Sequence, residues 1–247
     1  MLNMTITFSI FVVTLFPKYT YAIEAPKKAP TVCIGESFGK AWDEELHDFL
    51  DALFLKTTLQ PDIIDTPAKR SEFLFKHRKC DVFFAAPIGF SRLLGREDIF
   101  YINESVFRVK LELYTQKLKS PYQHIAKVDF VSQLDLPQTI IAYFSTLTMQ
   151  HMLSKLKSAK TVPLVDLEAG FEMLNKKRVD YFIFPEIVNR FPDKFESHKK
   201  SLSKVSTLFE GDLYIWVSNE YANFKMTLEL NLKAVKKDPQ WKLLLTQ

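Results

Sequence analysis

Residues 78–92 read RKCDVFFAAPIGFSR. After Cys80 comes an unbroken apolar run, then Pro87 to Gly89 stop it. A short strand with no polar alternation is buried on both faces, as in a parallel sheet covered by helices. A second stretch of the same kind lies upstream, TVCIGES at residues 31–37. It begins beside Cys33, and Cys33 and Cys80 are the two cysteines of the chain. Two buried parallel strands that each end in a small polar turn define one sheet edge where a ligand can sit.

Outward from this pair, strands and helices alternate. Lys40–Leu59 carries a helical stripe through Trp42, Leu46, Phe49, Leu50, Leu53 and Phe54. Asp62–Thr66 reads as a strand and Ala68–Lys79 as a helix. Arg108–Gln116 alternates polar and apolar, which predicts an extended crossing with one wet face. A second series follows: strand Gln138–Tyr143, helix Thr146–Leu156 with Ser145 as its cap, and strand Val162–Val165. Helix Asp166–Lys177, capped by Asp166, then precedes strand Val179–Phe184, which Pro185-Glu186 are expected to stop. Leu213–Val217 returns as a strand before terminal helices at Tyr221–Lys236 and Gln240–Leu245. Two such series joined by extended crossings predict an α/β protein of two lobes, each with an open, mostly parallel sheet.

Composition narrows the class. The chain has 247 residues, 47% of them apolar, and a net charge of +4. That is enough apolar surface for a sizeable core. The charge is too weak and too evenly mixed to indicate nucleic acid, and the lysine-rich tracts at 155–160 and 199–204 read as solvated helix faces. Near the N-terminus Ile6–Phe16 (ITFSIFVVTLF) has the length of an export-signal core, followed by Thr20-Tyr21-Ala22 as a small-residue cleavage site. No Lys or Arg precedes the run, so a retained anchor is the competing reading. Export would make an even cysteine pair a disulfide rather than a redox or metal site, with two buried thiols as the alternative. The five histidines show no metal-binding spacing, and the six glycines form no phosphate-binding loop. No GxSxG elbow is present. No cofactor is expected.

The order of these segments resembles bacterial extracellular solute-binding protein family 3. The stretches that carry the likeness are TVCIGES, KCDVFFAAPIGFSR (79–92) and IFYINESVFRVKLELYTQ (99–116). To these add VDFVSQLDLPQTIIAYFSTLT (128–148) and LVDLEAGFEMLNKKRVDYFIFPE (164–186). Together they span roughly residues 30–245. The resemblance implies the type 2 periplasmic-binding-protein fold, two lobes joined by crossover strands. It implies lobe 1 at residues 23–113 with a return at 211–247, lobe 2 at 114–210, and a signal peptide at 1–22. A narrower likeness, through Cys33 and Lys79–Phe90, is to solute-binding-like proteins associated with quinoprotein alcohol dehydrogenases. In those an aromatic PYYRS segment follows, whereas residues 100–107 here read FYINESVF.

Because open α/β sheets bind ligands beyond the carboxyl ends of their strands, the cleft is expected at Glu36–Phe38, Ala85–Arg92, Ser145–Thr148 and Pro185–Glu186. Arg92 is the leading candidate, since a guanidinium gives a carboxylate two parallel donors. Gly89-Phe90-Ser91-Arg92 approximates the family's T-x-x-R. Glu186 is expected to accept a ligand ammonium, opposite Arg92. Ser145 and Thr146 stand where backbone N–H groups meet an anion, Phe38 where an aromatic ring covers the ligand, and Glu36 and Ala86 at the strand ends. The expected function is capture of a small polar solute, an amino acid or small carboxylate, by a periplasmic monomer. An ABC transporter's membrane subunits or a sensor would read the closed form. Two competing readings stand beside it: an accessory partner of a periplasmic oxidoreductase, and a dehydratase-type enzyme using Glu36 or Glu186 as general acid.

Overall fold

The computed structural model describes residues 28–35, 47–54, 60–116, 134–187 and 195–241. The expected export segment at 1–22, Glu36 and Phe38 lie outside them. So do most of the expected helix at Gln240–Leu245 and the ends of the one at Lys40–Leu59. Among the described residues, no helix is long and apolar enough to cross a membrane.

The first lobe is built on β1 (Thr31–Gly35), β2 (Asp62–Thr66) and β3 (Val82–Pro87). Both β2 and β3 run parallel to β1. All five residues of β1 are buried, as its apolar run requires of a central strand. Helices α1 (residues 47–54) and α2 (Ala68–Lys76) connect these strands, and α3 (Phe90–Leu94) follows β3. The second lobe repeats the plan with β5 (Ile140–Phe144), α4 (Leu147–Leu153), β6 (Lys160–Leu164), α5 (Leu167–Asn175) and β7 (Tyr181–Ile187). There β6 and β7 both run parallel to β5. Short α6 (Glu196–Lys199) precedes β8, and α7 (Lys225–Lys237) packs back against β4 of the first lobe.

Two long strands cross between the lobes: β4 (Ile99–Gln116) and β8 (Leu202–Ser218). They pair antiparallel from Ile99↔Ser218 to Gln116↔Leu202. The two lobe sheets are thereby continuous, in the order β2-β1-β3-β8-β4-β7-β5-β6. The sequence showed only fragments of these strands, 108–116 and 213–217. The reason is four register shifts along the pair. Each bulge resets which side chains face the core, so period-2 alternation is lost over the full length. For the same reason Ser203 and Lys204 belong to a strand rather than to a helix face. Nor do Pro185 and Glu186 stop β7, which runs on to Ile187 paired with β4. Beyond Ile183 its β5 edge is no longer paired, and a proline is tolerated on such an edge.

Each lobe buries both faces of its sheet. In the second, Phe171 of α5 meets Phe182 and Phe184 of β7 and Tyr114 of β4. Gly170 is beside it, and a methyl group there would collide with the Phe182 ring, which is fully buried. Phe182 cannot yield, because Phe171 and Phe184 flank it. Gly170→Ala is therefore expected to destabilise by about 1–3 kcal/mol, the usual penalty for overpacking, read from urea unfolding. A neutral result would mean that α5 lifts away from β7 without loss.

Candidate functional site

A cleft of about 670 Å³ opens between the lobes. It lies at the carboxyl ends of β1, β3 and β5, where open α/β sheets bind ligands. From the first lobe come Gly35, the β3 end at Ala85–Pro87, and Arg92 and Leu93 of α3. From the second come Phe144, Thr146, Met149, Met152, Ile183 and Pro185. The crossing strands form its floor with Val109, Leu111 and Phe209–Tyr214. Most of this lining is apolar, and Ile88 and Phe209 leave large side chains exposed there.

Local backbone chemistry shapes the first-lobe wall. Ala85 has φ 67°, a left-handed conformation uncommon for a residue with a Cβ, at the register shift between Phe83 and Ala86. The shift presents the Ala86 carbonyl to Trp216, whose Nε1 donates to it at 3.2 Å. Gly89 (φ 91°) then makes the left-handed turn that opens α3. Arg92, in the first turn of α3, is exposed, and its guanidinium makes no hydrogen bond or ion pair among the described residues. Its neighbour Arg96 is buried instead, donating to the Phe75 carbonyl and, through Nε at 3.0 Å, to Asp98. Arg96 and Arg78 hold the Asp98 carboxyl well below the usual carboxylate range.

In the second lobe Thr146 is the cap of α4, its hydroxyl accepting from the Met149 N–H at 3.1 Å. This corrects the expectation for Ser145. Its buried hydroxyl accepts from Gln150 Nε2 at 3.3 Å, and it does not line the cleft. Glu186 is also displaced from its expected place. Because β7 continues as a strand, Ile183 and Pro185 turn toward the cleft, and Phe182, Phe184 and Glu186 turn to the other face. There the Tyr114 hydroxyl donates to Glu186 at 3.4 Å. Of the expected residues, the structure thus brings Ala86, Arg92 and Thr146 to one cleft, and places Ser145 and Glu186 away from it.

Three cleft carboxylates were not singled out from sequence. Glu210 is paired with Arg108 and Lys110 at 3.1 and 3.8 Å. Asp212 makes no ion pair among the described residues. Glu72 of α2 is 3% exposed, and both its oxygens accept from the Leu147 N–H of α4, at 3.0 and 2.9 Å. Burial pushes its carboxyl up to about 7, against the opposing pull of the Leu147 N–H and of Lys69. A signal for Glu72 was present: Ala68, Ser71, Glu72 and Phe75 follow the i, i+3, i+4, i+7 spacing of a buried stripe, and two of the four are polar. Among the described residues no group of His, Cys, Asp and Glu is arranged to hold a metal ion.

Sequence comparison matches the chain to no family model and to no curated protein. Solved structures do match. A mutant of ArgBP from T. maritima superposes with a TM-score of 0.66 at 15% identity, covering 87% of this chain and 93% of that one. The amino acid ABC transporter substrate-binding protein AbpA from Streptococcus pneumoniae, bound to L-arginine, gives 0.65 at 13%, covering 88% and 93%. The ancestral amino acid-binding protein AncCDT-1, a precursor of cyclohexadienyl dehydratase, gives 0.63 at 13%, covering 88% and 96%. The architecture is that of a two-lobed type 2 periplasmic binding protein.

Proposed function

We propose that this chain captures a small solute, with a charged head and an apolar body, between its two lobes. In this reading residues 1–22 export it to the periplasm. Residues 23–113 and 211–247 form one lobe, 114–210 form the other, and membrane subunits of an ABC transporter or a sensor read the closed form. The observation that carries it is the inter-lobe cleft, which is lined from both sides and has an uncommitted arginine, Arg92, at its edge. A carboxylate on Arg92, an ammonium near Asp212 and an apolar side chain against Met149, Met152 and Phe209 would satisfy the lining. Contacts to both lobes favour the closed state by their differential affinity.

A thermal-shift panel of apolar and polar amino acids and small carboxylates tests this. At a hundredfold excess over Kd, binding adds about 2.7 kcal/mol, roughly 5–10 °C for a chain of this size. Arg92→Ala removes a charge-assisted bond of about 1.5–3 kcal/mol, so affinity is expected to fall roughly ten- to a hundredfold. A panel without any shift would remove this reading in favour of an accessory role beside a periplasmic oxidoreductase. Turnover of a bound hydroxy acid would favour the dehydratase-type reading instead.

A further inference from the structure

We propose that Glu72 is an inter-lobe latch, holding the cleft closed through contacts made by the chain's own groups. The observations converge on one face of α2. Ser71 ties this helix to the first lobe, its hydroxyl donating to the Ile34 carbonyl at 2.6 Å with the Thr66 carbonyl also in reach at 3.1 Å. One position on, Glu72 reaches across the cleft and takes the Leu147 N–H with both oxygens. One turn earlier, Ala68 packs into the second lobe's cluster of Phe144, Phe171 and Phe184. In the opposite direction the Leu147 side chain packs against the first lobe's cluster of Phe75, Phe83 and Phe90. Each lobe therefore lodges a group in the other beside the cleft.

The chemistry suits a latch that opens. Glu72 holds the lobes together as the neutral acid, whereas the ionised carboxylate, nearly buried with one backbone donor, is poorly compensated in the closed state and well solvated in the open one. The neighbouring charges do not neutralise it. Lys69 on its own helix pulls on it electrostatically. Arg92 from α3, His151 and Lys155 from the second lobe, and Glu210 and Asp212 from β8 border the same cleft. Closing moves the Glu72 carboxyl from its ordinary value near 4.5 to about 7, so closure takes up a proton. The closed state is thus favoured as pH falls through that interval and loses the advantage above it. A protonated carboxyl still accepts from Leu147 through its carbonyl oxygen. Between pH 8 and pH 5 the closing equilibrium is expected to gain roughly fifty- to a hundredfold.

Amide exchange on the solute-free protein tests the latch whether or not the cleft binds a solute. The readout is the protection factor of the Leu147 N–H, corrected for its intrinsic rate, with the Met149 N–H as an internal control held by Thr146 within α4. In the wild type, Leu147 should be protected, and tens-fold more at pH 5 than at pH 8. Glu72→Gln keeps an acceptor and should keep the protection while losing its pH dependence. At pH 5, Glu72→Ala should lose at least tenfold at Leu147, spare Met149 and raise the radius of gyration by X-ray scattering. Unchanged Leu147 protection in Glu72→Ala would overturn the proposal. If Glu72→Ala does not fold, Glu72→Gln decides: a pH response equal to that of the wild type would overturn it too.

Discussion

Replacing Cys33 and Cys80 together with alanine is expected to destabilise the protein by about 4 kcal/mol. The bond joins Cys33 within β1 to Cys80, two residues before the adjacent strand β3; the two are 47 positions apart, with Cα atoms separated by 5.8 Å. In the chain-entropy account, a cross-link closing a loop of that length removes about this much conformational freedom from the unfolded chain. Both side chains are fully buried among Phe75, Phe83 and Phe90, so alanine leaves no unpaired polar group behind. The consequence reaches the cleft, because the closed loop contains β2 and α2, and α2 carries Ser71 and Glu72. Urea unfolding of the oxidised protein and of the double variant measures the difference. The variant should also show a larger denaturant dependence, since its unfolded chain is less compact. Equal midpoints would mean that the unfolded chain already keeps β1 and β3 together.

Phe171→Ala is expected to cost about 3–5 kcal/mol, the range for removing a fully buried aromatic ring. Phe171 is fully buried at the centre of the second lobe. Its ring lies 5.1 Å from those of Phe182 and Phe184, 5.4 Å from Phe195 and 6.2 Å from Tyr114. His198 stacks on it at 5.5 Å. Its neighbours are anchored on β4, β7 and the segment that opens α6, so they cannot collapse into the space together. The edge-to-face arrangements with Phe182 and Tyr114 are lost as well as the buried area. Differential scanning calorimetry should show the second lobe melting first, a departure from two-state unfolding. A loss under about 1 kcal/mol would mean that the cluster repacks around the missing ring.

What was legible in the sequence was set by local pattern. The apolar runs of β1 and β3 showed as strands because both faces of each are covered. Asp166 showed as a cap because its side chain bonds the Glu168 N–H two residues on. Arg92 and Thr146 could be placed at the cleft because each lies within a few residues of the carboxyl end of a strand that ends there. Glu186 could not. One side-chain alternation decides which face of β7 a residue occupies, and that depends on whether the strand continues past Pro185. The continuation is provided by pairing with Lys110 and Leu111, some 75 residues away in the chain.

The sequence by itself determined the alternation of strands and helices, the buried central strands, a cysteine beside each of two neighbouring strands and an arginine just beyond a strand's carboxyl end. These follow from side-chain polarity and short-range hydrogen bonding, which act within a few residues. Only the tertiary structure decided that β4 and β8 weave the two sheets together, that Glu186 faces away from the cleft, and that Glu72 reaches Leu147 across it. Each of these depends on partners distant in sequence, and on the parity of a strand or the face of a helix once those partners are in place.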